Sequence, residues 1–325
     1  MTDVLCLRPE ADFARAGALP PPCLKVVYRA PDDADVPALM KQARALVMPA
    51  VGPKLPLSLF EGTTVKFVQI TGAGLDRLDL PALKQHGIRV ANVPGGSNTA
   101  VAEYVVTTAS ILLRRFVWAD SEIRAGNYVA FRARMTADNL PGLDGLRVGI
   151  VGLGVIGLAV AQAFYQRGCE LCYYDPAPRD LPAAQSLGAK PLSLDGLLKA
   201  SDVVTLHVPL LPATQGLIGA HELSTMKAGA VLIQASRGGI VDEAALAACL
   251  QAGHLSGAAI DVYSAEPPAA GNPLLALERE AARKLLFTPH IAGVTRQSAA
   301  FLFHSAWRNV ERVLVAAEPP EACVT

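Results

Sequence analysis

The sequence predicts an α/β fold in which a larger parallel-sheet domain is inserted into a smaller one. Three observations carry that prediction. Short continuous apolar runs alternate with helical patterns, the signature of parallel strands covered on both faces. A glycine-rich turn, Gly152, Gly154 and Gly157, lies between a strand-like run and a helical one. A last helical stretch, residues 295–317, follows the final strand of the larger sheet and is expected to return to the smaller domain. The predicted division is 1–98 with 295–325 for the smaller domain and 99–294 for the larger.

The 325 residues suit two domains of about 100–200 residues each. Half the residues are hydrophobic and 18% are charged, which argues against disorder. Lys+Arg and Asp+Glu are both 29, and no basic stripe suggests a nucleic-acid partner. The opening MTDVLCLRPE lacks the pattern of a secretory signal. The uncharged run 151–164 is too short for a membrane span of about 20 apolar residues, so no membrane partner is expected. Cys6, Cys23, Cys169, Cys172, Cys249 and Cys323 are too sparse for a disulfide framework. Cys169 and Cys172 form a CxxC with no second pair to complete a metal site, so they read as small buried strand residues, and no metal is expected. A reducing, cytoplasmic setting fits this cysteine usage.

In chain order, CLKVVYRA, ARALVMPAV, VKFVQITG and IRVANVP are strand-like, with helical patterns between them. A long helix is expected over 102–116, then a strand over 146–151. A helix follows the glycine turn as far as Gln166 and is stopped by Gly168; the next strand, Glu170–Tyr174, ends at Asp175. Further strands are read at 202–208, 230–236, 257–262 and 284–290. Between the second and third of these, Asp242 is placed to cap a helix that Gly253 terminates.

G-x-G-x-x-G is a weak signal alone and a strong one between a strand and a helix with an acid downstream. Gly152 permits the tight turn, Gly154 lets the backbone approach a pyrophosphate, and Gly157 lets helix and strand pack closely. The amides of Val155 and Ile156 open the helix and offer partial positive charge to a phosphate. Asp175, 18 residues past Gly157, would accept from the adenosine ribose hydroxyls and repel a 2′-phosphate, which favours NAD over NADP. Arg179 lies close enough to bear on that choice. The stretch is read as a dinucleotide cradle in a Rossmann domain.

Three later segments, LIQASRGGIVDEAAL, GAAIDVYSAEP and LLFTPHIAGVT, together with VGLGVIG, resemble the D-2-hydroxyacid dehydrogenase family, which includes phosphoglycerate dehydrogenases and glyoxylate/hydroxypyruvate reductases. The likeness runs from about Val65 to Leu314. It implies an NAD-binding Rossmann domain inserted in a smaller flavodoxin-like α/β substrate domain. Arg237 stands at the family's substrate-binding arginine, and Glu266 and His290 at its acid–base pair. Asp261 stands where a carboxylate receives the nicotinamide carboxamide. ITGAGLDRLDL matches the substrate loop, so the amides of Ala73 and Gly74 would hold the substrate carboxylate. His207, Val208, Pro209, Thr214, Ala235, Ser236 and Gly293 match cofactor-contacting positions. The helix from Ala102 fits the family's dimer interface, which implies a homodimer.

Reducing a 2-keto acid requires a hydride at the carbonyl carbon, a proton at its oxygen, and a fixed carboxylate. The guanidinium of Arg237 is a planar fork suited to a carboxylate and the adjacent keto oxygen. His290, of a residue type that titrates near pH 6.5 in water, suits proton transfer in either direction, and Glu266 on its other ring nitrogen would fix the tautomer. An acid at 266 disfavours formate oxidation, where the family uses glutamine. Met48 and Pro49 replace the Arg-Ser pair of the phosphoglycerate branch, and no appended regulatory domain is expected. Gln234 stands where many relatives carry asparagine, a departure expected to have little consequence. Arg77 and Arg296 are read either as widening the positive field around an anionic substrate or as solvated. The expected activity is therefore NAD-dependent reduction of a small 2-keto acid, glyoxylate or hydroxypyruvate first. The alternatives are an NAD(H)-sensing corepressor-like binding protein of the same family and a 3-phosphoglycerate dehydrogenase.

Overall fold

The computed structural model describes residues 2–175 and 182–325. The chain divides into two compact units, Met1–Ser97 with Val294–Thr325, and Asn98–Gly293. The first holds β1 (Val4–Cys6), β2 (Val26–Tyr28), β3 (Ala45–Met48), β4 (Phe67–Ile70) and β5 (Arg89–Ala91). These form one parallel sheet in the order β2-β1-β3-β4-β5, the flavodoxin-like winding. One face, with Leu46, packs on Met40, Phe60 and Leu83; the other packs on Phe13 and on Phe303, Trp307 and Val310 of helix Arg296–Leu314. That last helix starts at Thr295, whose side chain accepts from the Ser298 amide at 3.1 Å.

The second unit holds β6 (Arg147–Val151), β7 (Glu170–Tyr174), β8 (Lys190–Pro191), β9 (Val203–Leu206), β10 (Val231–Gln234), β11 (Gly257–Ile260) and β12 (Leu285–Phe287). Their order, β12-β11-β10-β9-β6-β7-β8, is the Rossmann winding with one further strand. Alternate residues feed opposite cores. Val148 and Ile150 meet Val105, Ala109 and Phe164, while Val151, Val204 and Leu206 meet Leu197, Leu246 and Leu250. Each such large apolar side chain contributes roughly 1.5–3 kcal/mol on burial. Winding reverses between β6 and β9, so a crevice for ligands is expected at the carboxyl ends of those two strands. Among the described residues no helix is long and apolar enough to cross a membrane.

Most strands are shorter than their apolar runs. The 284–290 run, for instance, gives only Leu285–Phe287, because the residues after it turn into a loop. The single helix expected over 102–116 is instead Asn98–Leu113 followed by a second helix, Phe116–Arg124. Arg115, at φ 52, breaks the run in a left-handed turn between them. Helix Tyr128–Ala137 and strand β8 had no counterpart in the sequence reading. The first has no clean apolar stripe, with Phe131 its one buried residue, and the second is a two-residue edge strand containing a proline.

Candidate active site

β6 delivers the chain to Gly152, which sits at φ +90. A Cβ there would stand 2.7 Å from the His207 carbonyl oxygen at the end of β9, so the two strands meet across this glycine. A Cβ on Gly157 would come within 2.0 Å of the Gly152 carbonyl, which fixes close helix–strand contact. Gly154 differs. It caps helix Val155–Tyr165, and a Cβ on it would meet nothing within 4 Å. No protein contact demands a glycine there, and the first hydrogen bond of the helix it opens is Leu158 N–H to Gly154 O, 2.9 Å. The amides of Val155 and Ile156 have no acceptor among the described residues. Open space above a glycine, with free amides at a helix start, fits a pyrophosphate. The Asp175 carboxylate accepts from the Leu153 amide at 2.9 Å, tying the acid to the turn it serves. Arg179 lies outside the described residues.

The loop after β9 carries His207, Val208 and Pro209. His207 Nε2 and Thr205 Oγ1 lie 2.9 Å apart. Desolvation pushes the imidazole down to about 3, so it is neutral near pH 7. Thr214 Oγ1 donates to Pro209 O at 2.5 Å and accepts from the Leu211 amide at 2.8 Å, knotting this loop closed. After β10, Ala235 and Ser236 lead to Arg237. Gln234, 2% exposed, organises this turn: its Oε1 accepts from Ser236 Oγ at 2.7 Å, and its Nε2 donates to Arg237 O at 2.8 Å. This amide shapes the backbone that presents Arg237. Arg237 Nη1 donates to Ser236 O at 2.7 Å. Gly238 packs so closely that a Cβ would lie 1.8 Å from Tyr263 O.

His290 and Glu266 come together. Nδ1 and Glu266 Oε2 are 2.8 Å apart, and both side chains are partly buried. Oε1 of the same carboxylate accepts from the Tyr263 amide at 3.1 Å. A carboxylate only accepts, so Nδ1 carries the proton, and Nε2 has no hydrogen-bond partner among the described residues. His290 itself sits at φ +56, an unusual backbone for a non-glycine residue. Asp261 holds it there. This fully buried carboxylate accepts from the amides of Ile291 at 2.8 Å and Ala292 at 2.9 Å and from Thr288 Oγ1 at 2.6 Å. The His290 amide donates to Asp261 O at 2.8 Å. Because Thr288 donates to Asp261, Tyr104 must donate to Thr288 across their 2.7 Å contact. Burial pushes the Tyr104 phenol up to about 12, so that proton stays in place. Sequence resemblance assigned Asp261 to the nicotinamide carboxamide; the structure spends three of its hydrogen bonds on the loop of His290. Gly293 closes this unit just beyond that loop.

In the first unit, Ala73 and Gly74 follow β4. Asn92 Nδ2 donates to Ala73 O at 2.7 Å, and the two loop amides have no protein acceptor among the described residues. Arg296 is exposed at the start of the last helix. Arg77 corrects the sequence reading on both counts. It is 3% exposed, and its guanidinium donates to three main-chain carbonyls instead of facing solvent or an open field. Cys169 and Cys172 are buried free thiols; Cys169 donates to Leu143 O and Cys172 lies against Ser201.

The model of the D-isomer specific 2-hydroxyacid dehydrogenase NAD-binding domain matches residues 106–292. The chain is 37% identical over 234 residues to a D-3-phosphoglycerate dehydrogenase of Archaeoglobus fulgidus, a match covering 72% of this chain and 42% of that one. It is 38% identical to an (S)-sulfolactate dehydrogenase of Chromohalobacter salexigens, covering 75% of each. It is 34% identical to a glycerate dehydrogenase of Methylorubrum extorquens, covering 78% of this chain and 77% of that one. The crystal structure of the TT0316 protein from Thermus thermophilus superposes with a TM-score of 0.81 at 30% identity, covering 100% of both chains.

Proposed function

This chain belongs to the D-isomer-specific 2-hydroxyacid dehydrogenases, a family of NAD-dependent oxidoreductases acting on a CH–OH group, and on that premise we propose that it interconverts a small 2-keto acid and its D-2-hydroxy acid. Glyoxylate and hydroxypyruvate are the substrates placed first, in keeping with the similarity to a glycerate dehydrogenase. The observation that carries the reading is the 2.8 Å contact between His290 Nδ1 and Glu266. With Nδ1 committed to the carboxylate, Nε2 gives a proton to the carbonyl oxygen in reduction and takes it back in oxidation. Arg237 grips the substrate carboxylate and keto oxygen, and the amides of Ala73 and Gly74 add hydrogen bonds to that carboxylate. NAD supplies the hydride when bound, with Gly154, Val155 and Ile156 taking its pyrophosphate and Asp175 its ribose. Met48 and Pro49, where the phosphoglycerate branch has Arg-Ser, offer no charged group to a distal phosphate.

Incubating the protein with NADH and a panel of glyoxylate, hydroxypyruvate, pyruvate, 3-phosphohydroxypyruvate and sulfopyruvate tests this. Loss of the reduced-nicotinamide absorbance with glyoxylate or hydroxypyruvate is the expected result. No loss with any acid sinks the reading, and preference for the phosphorylated acid transfers it to the phosphoglycerate branch. We further propose a homodimer; helix Asn98–Leu113, where the resemblance places the interface, has most of its side chains buried, so the interface is assigned to the two helices that follow it, Phe116–Arg124 and Tyr128–Ala137, which leave Phe116, Val117, Ile123, Tyr128 and Val129 exposed. A cytoplasmic location fits the free cysteines.

A further inference from the structure

β3 and β4 are parallel neighbours, so the loops that follow them, 49–53 and 71–77, leave the same edge of the first unit's sheet. Arg77 binds one to the other. Its Nη1 donates to Pro49 O at 2.9 Å and Val51 O at 3.2 Å, and its Nε donates to Pro53 O at 2.8 Å. Its own carbonyl accepts from the Leu55 amide at 2.9 Å. Gly52, at φ +127, turns directly over the guanidinium: a Cβ there would stand 3.2 Å from Arg77 Cζ. Gly72 abuts Ala50, since a Cβ on it would lie 2.8 Å from the Ala50 Cβ. Thr71 N–H to Met48 O, 2.9 Å, and Val93 N–H to Gly72 O, 2.9 Å, complete the brace. Burial holds the guanidinium below the ordinary arginine range, a cost that fixing backbone carbonyls in one arrangement offsets.

We propose that Arg77 is a positioning residue that sets substrate selectivity. By bracing the 49–53 loop against Gly72–Gly74, it fixes an uncharged wall of Pro49, Ala50, Val51 and Pro53 beside the carboxylate-binding amides. That wall admits 2-keto acids with short, uncharged side chains and rejects branched or doubly anionic ones. The inference rests on the reading above, in which Ala73 and Gly74 hold the substrate carboxylate.

The test compares wild type with Arg77→Met, Arg77→Lys and Gly52→Ala. Each is assayed with NADH against glyoxylate, hydroxypyruvate, 2-ketobutyrate, 2-ketoisocaproate and oxaloacetate, and NADH affinity is measured separately by fluorescence. For Arg77→Met, KM for glyoxylate is expected to rise roughly tenfold, and its kcat/KM advantage over 2-ketoisocaproate to shrink by about the same factor, the scale of a misplaced substrate loop. Arg77→Lys restores part of both, because one ammonium cannot serve three carbonyls in a fixed fork. NADH affinity stays within about twofold, since the dinucleotide residues lie in the other unit. Gly52→Ala leaves Arg77 intact and shifts selectivity the same way by less, which keeps the proposal testable if Arg77→Met does not fold. An active wild type with unchanged selectivity ratios in the folded variants overturns the proposal alone. A wild type inactive with every acid overturns the functional reading and this inference together.

Discussion

The turn at 152–157 and the braced loops at 49–53 and 71–77 solve the same problem by different means. Each must hold main-chain amides rigidly at the end of a parallel strand. The first does so with Gly152 and Gly157, whose neighbours leave no room: a Cβ at Gly157 would overlap the Gly152 carbonyl. The second relies on one arginine reaching back 24 to 28 residues to three carbonyls. A site written in glycine spacing announces itself, whereas one held by a distant side chain does not. The pair His290–Glu266 stands between them: its residues are recognisable, but its geometry depends on a carboxylate 29 positions before the histidine, at Asp261.

Substitutions sharpen that contrast. The largest effect is expected at the proton-transfer end. His290→Asn should lower kcat by about 10²–10⁴ while NADH affinity holds, as steady-state rates and fluorescence titration will check. An undiminished kcat would remove His290 from the chemistry. Next, Asp261→Asn replaces one accepting oxygen by an amide nitrogen facing backbone donors. It should cut kcat by about tenfold or more through a displaced His290, and should cost roughly 1–3 kcal/mol of stability in urea unfolding. Equal activity would mean the loop of His290 holds its shape unaided.

The two glycines of the turn separate folding from binding. Gly157→Ala should destabilise the second unit by at least about 1–3 kcal/mol, because its Cβ meets backbone that cannot give way. Gly154→Ala should move stability by less than about 1 kcal/mol yet weaken NADH binding by roughly tenfold, because the new methyl enters the open space proposed for the pyrophosphate. If both variants lose stability equally, Gly154 is structural and the cradle assignment fails.

The smallest effect is a pH dependence at His207. Burial holds its folded-state titration near 3, below the value near 6.5 expected of the unfolded chain. Above pH 6.5 neither state binds the proton and nothing is lost. As pH falls through 6.5 the unfolded chain takes up a proton that the folded one refuses, so stability drops. Between pH 7 and pH 5 this group should cost about 1–2 kcal/mol, and His207→Asn should remove that part of the slope in paired unfolding curves. Identical slopes would mean that water reaches the imidazole in the folded state.

Local causes explain what could be read directly. The expected cap at Asp242 accepts from the amides of Ala244 at 2.9 Å and Ala245 at 3.0 Å, and Gly253 ends that helix at φ +77. Strand Glu170–Tyr174 has the bounds the sequence suggested. Missed elements lacked such signals, as with the break at Arg115, a residue type that does not advertise a left-handed turn. The place of Gln234 lies in an amide bonded to two neighbours of a turn, which residue type alone does not reveal.

By itself, the sequence determined the two parallel sheets, the glycine turn that opens a helix, and the presence of an arginine, a glutamate and a histidine in motifs of one enzyme family. Those depend on backbone freedom and apolar periodicity, which act over a few residues. Only the tertiary structure decided that Asp261 clamps the histidine loop, that Arg77 is buried as a brace, and that Gly154 alone of the three turn glycines looks onto empty space. Each of those depends on atoms brought together from far along the chain, and hydrogen bonds or close contacts of that kind leave no trace in local spacing.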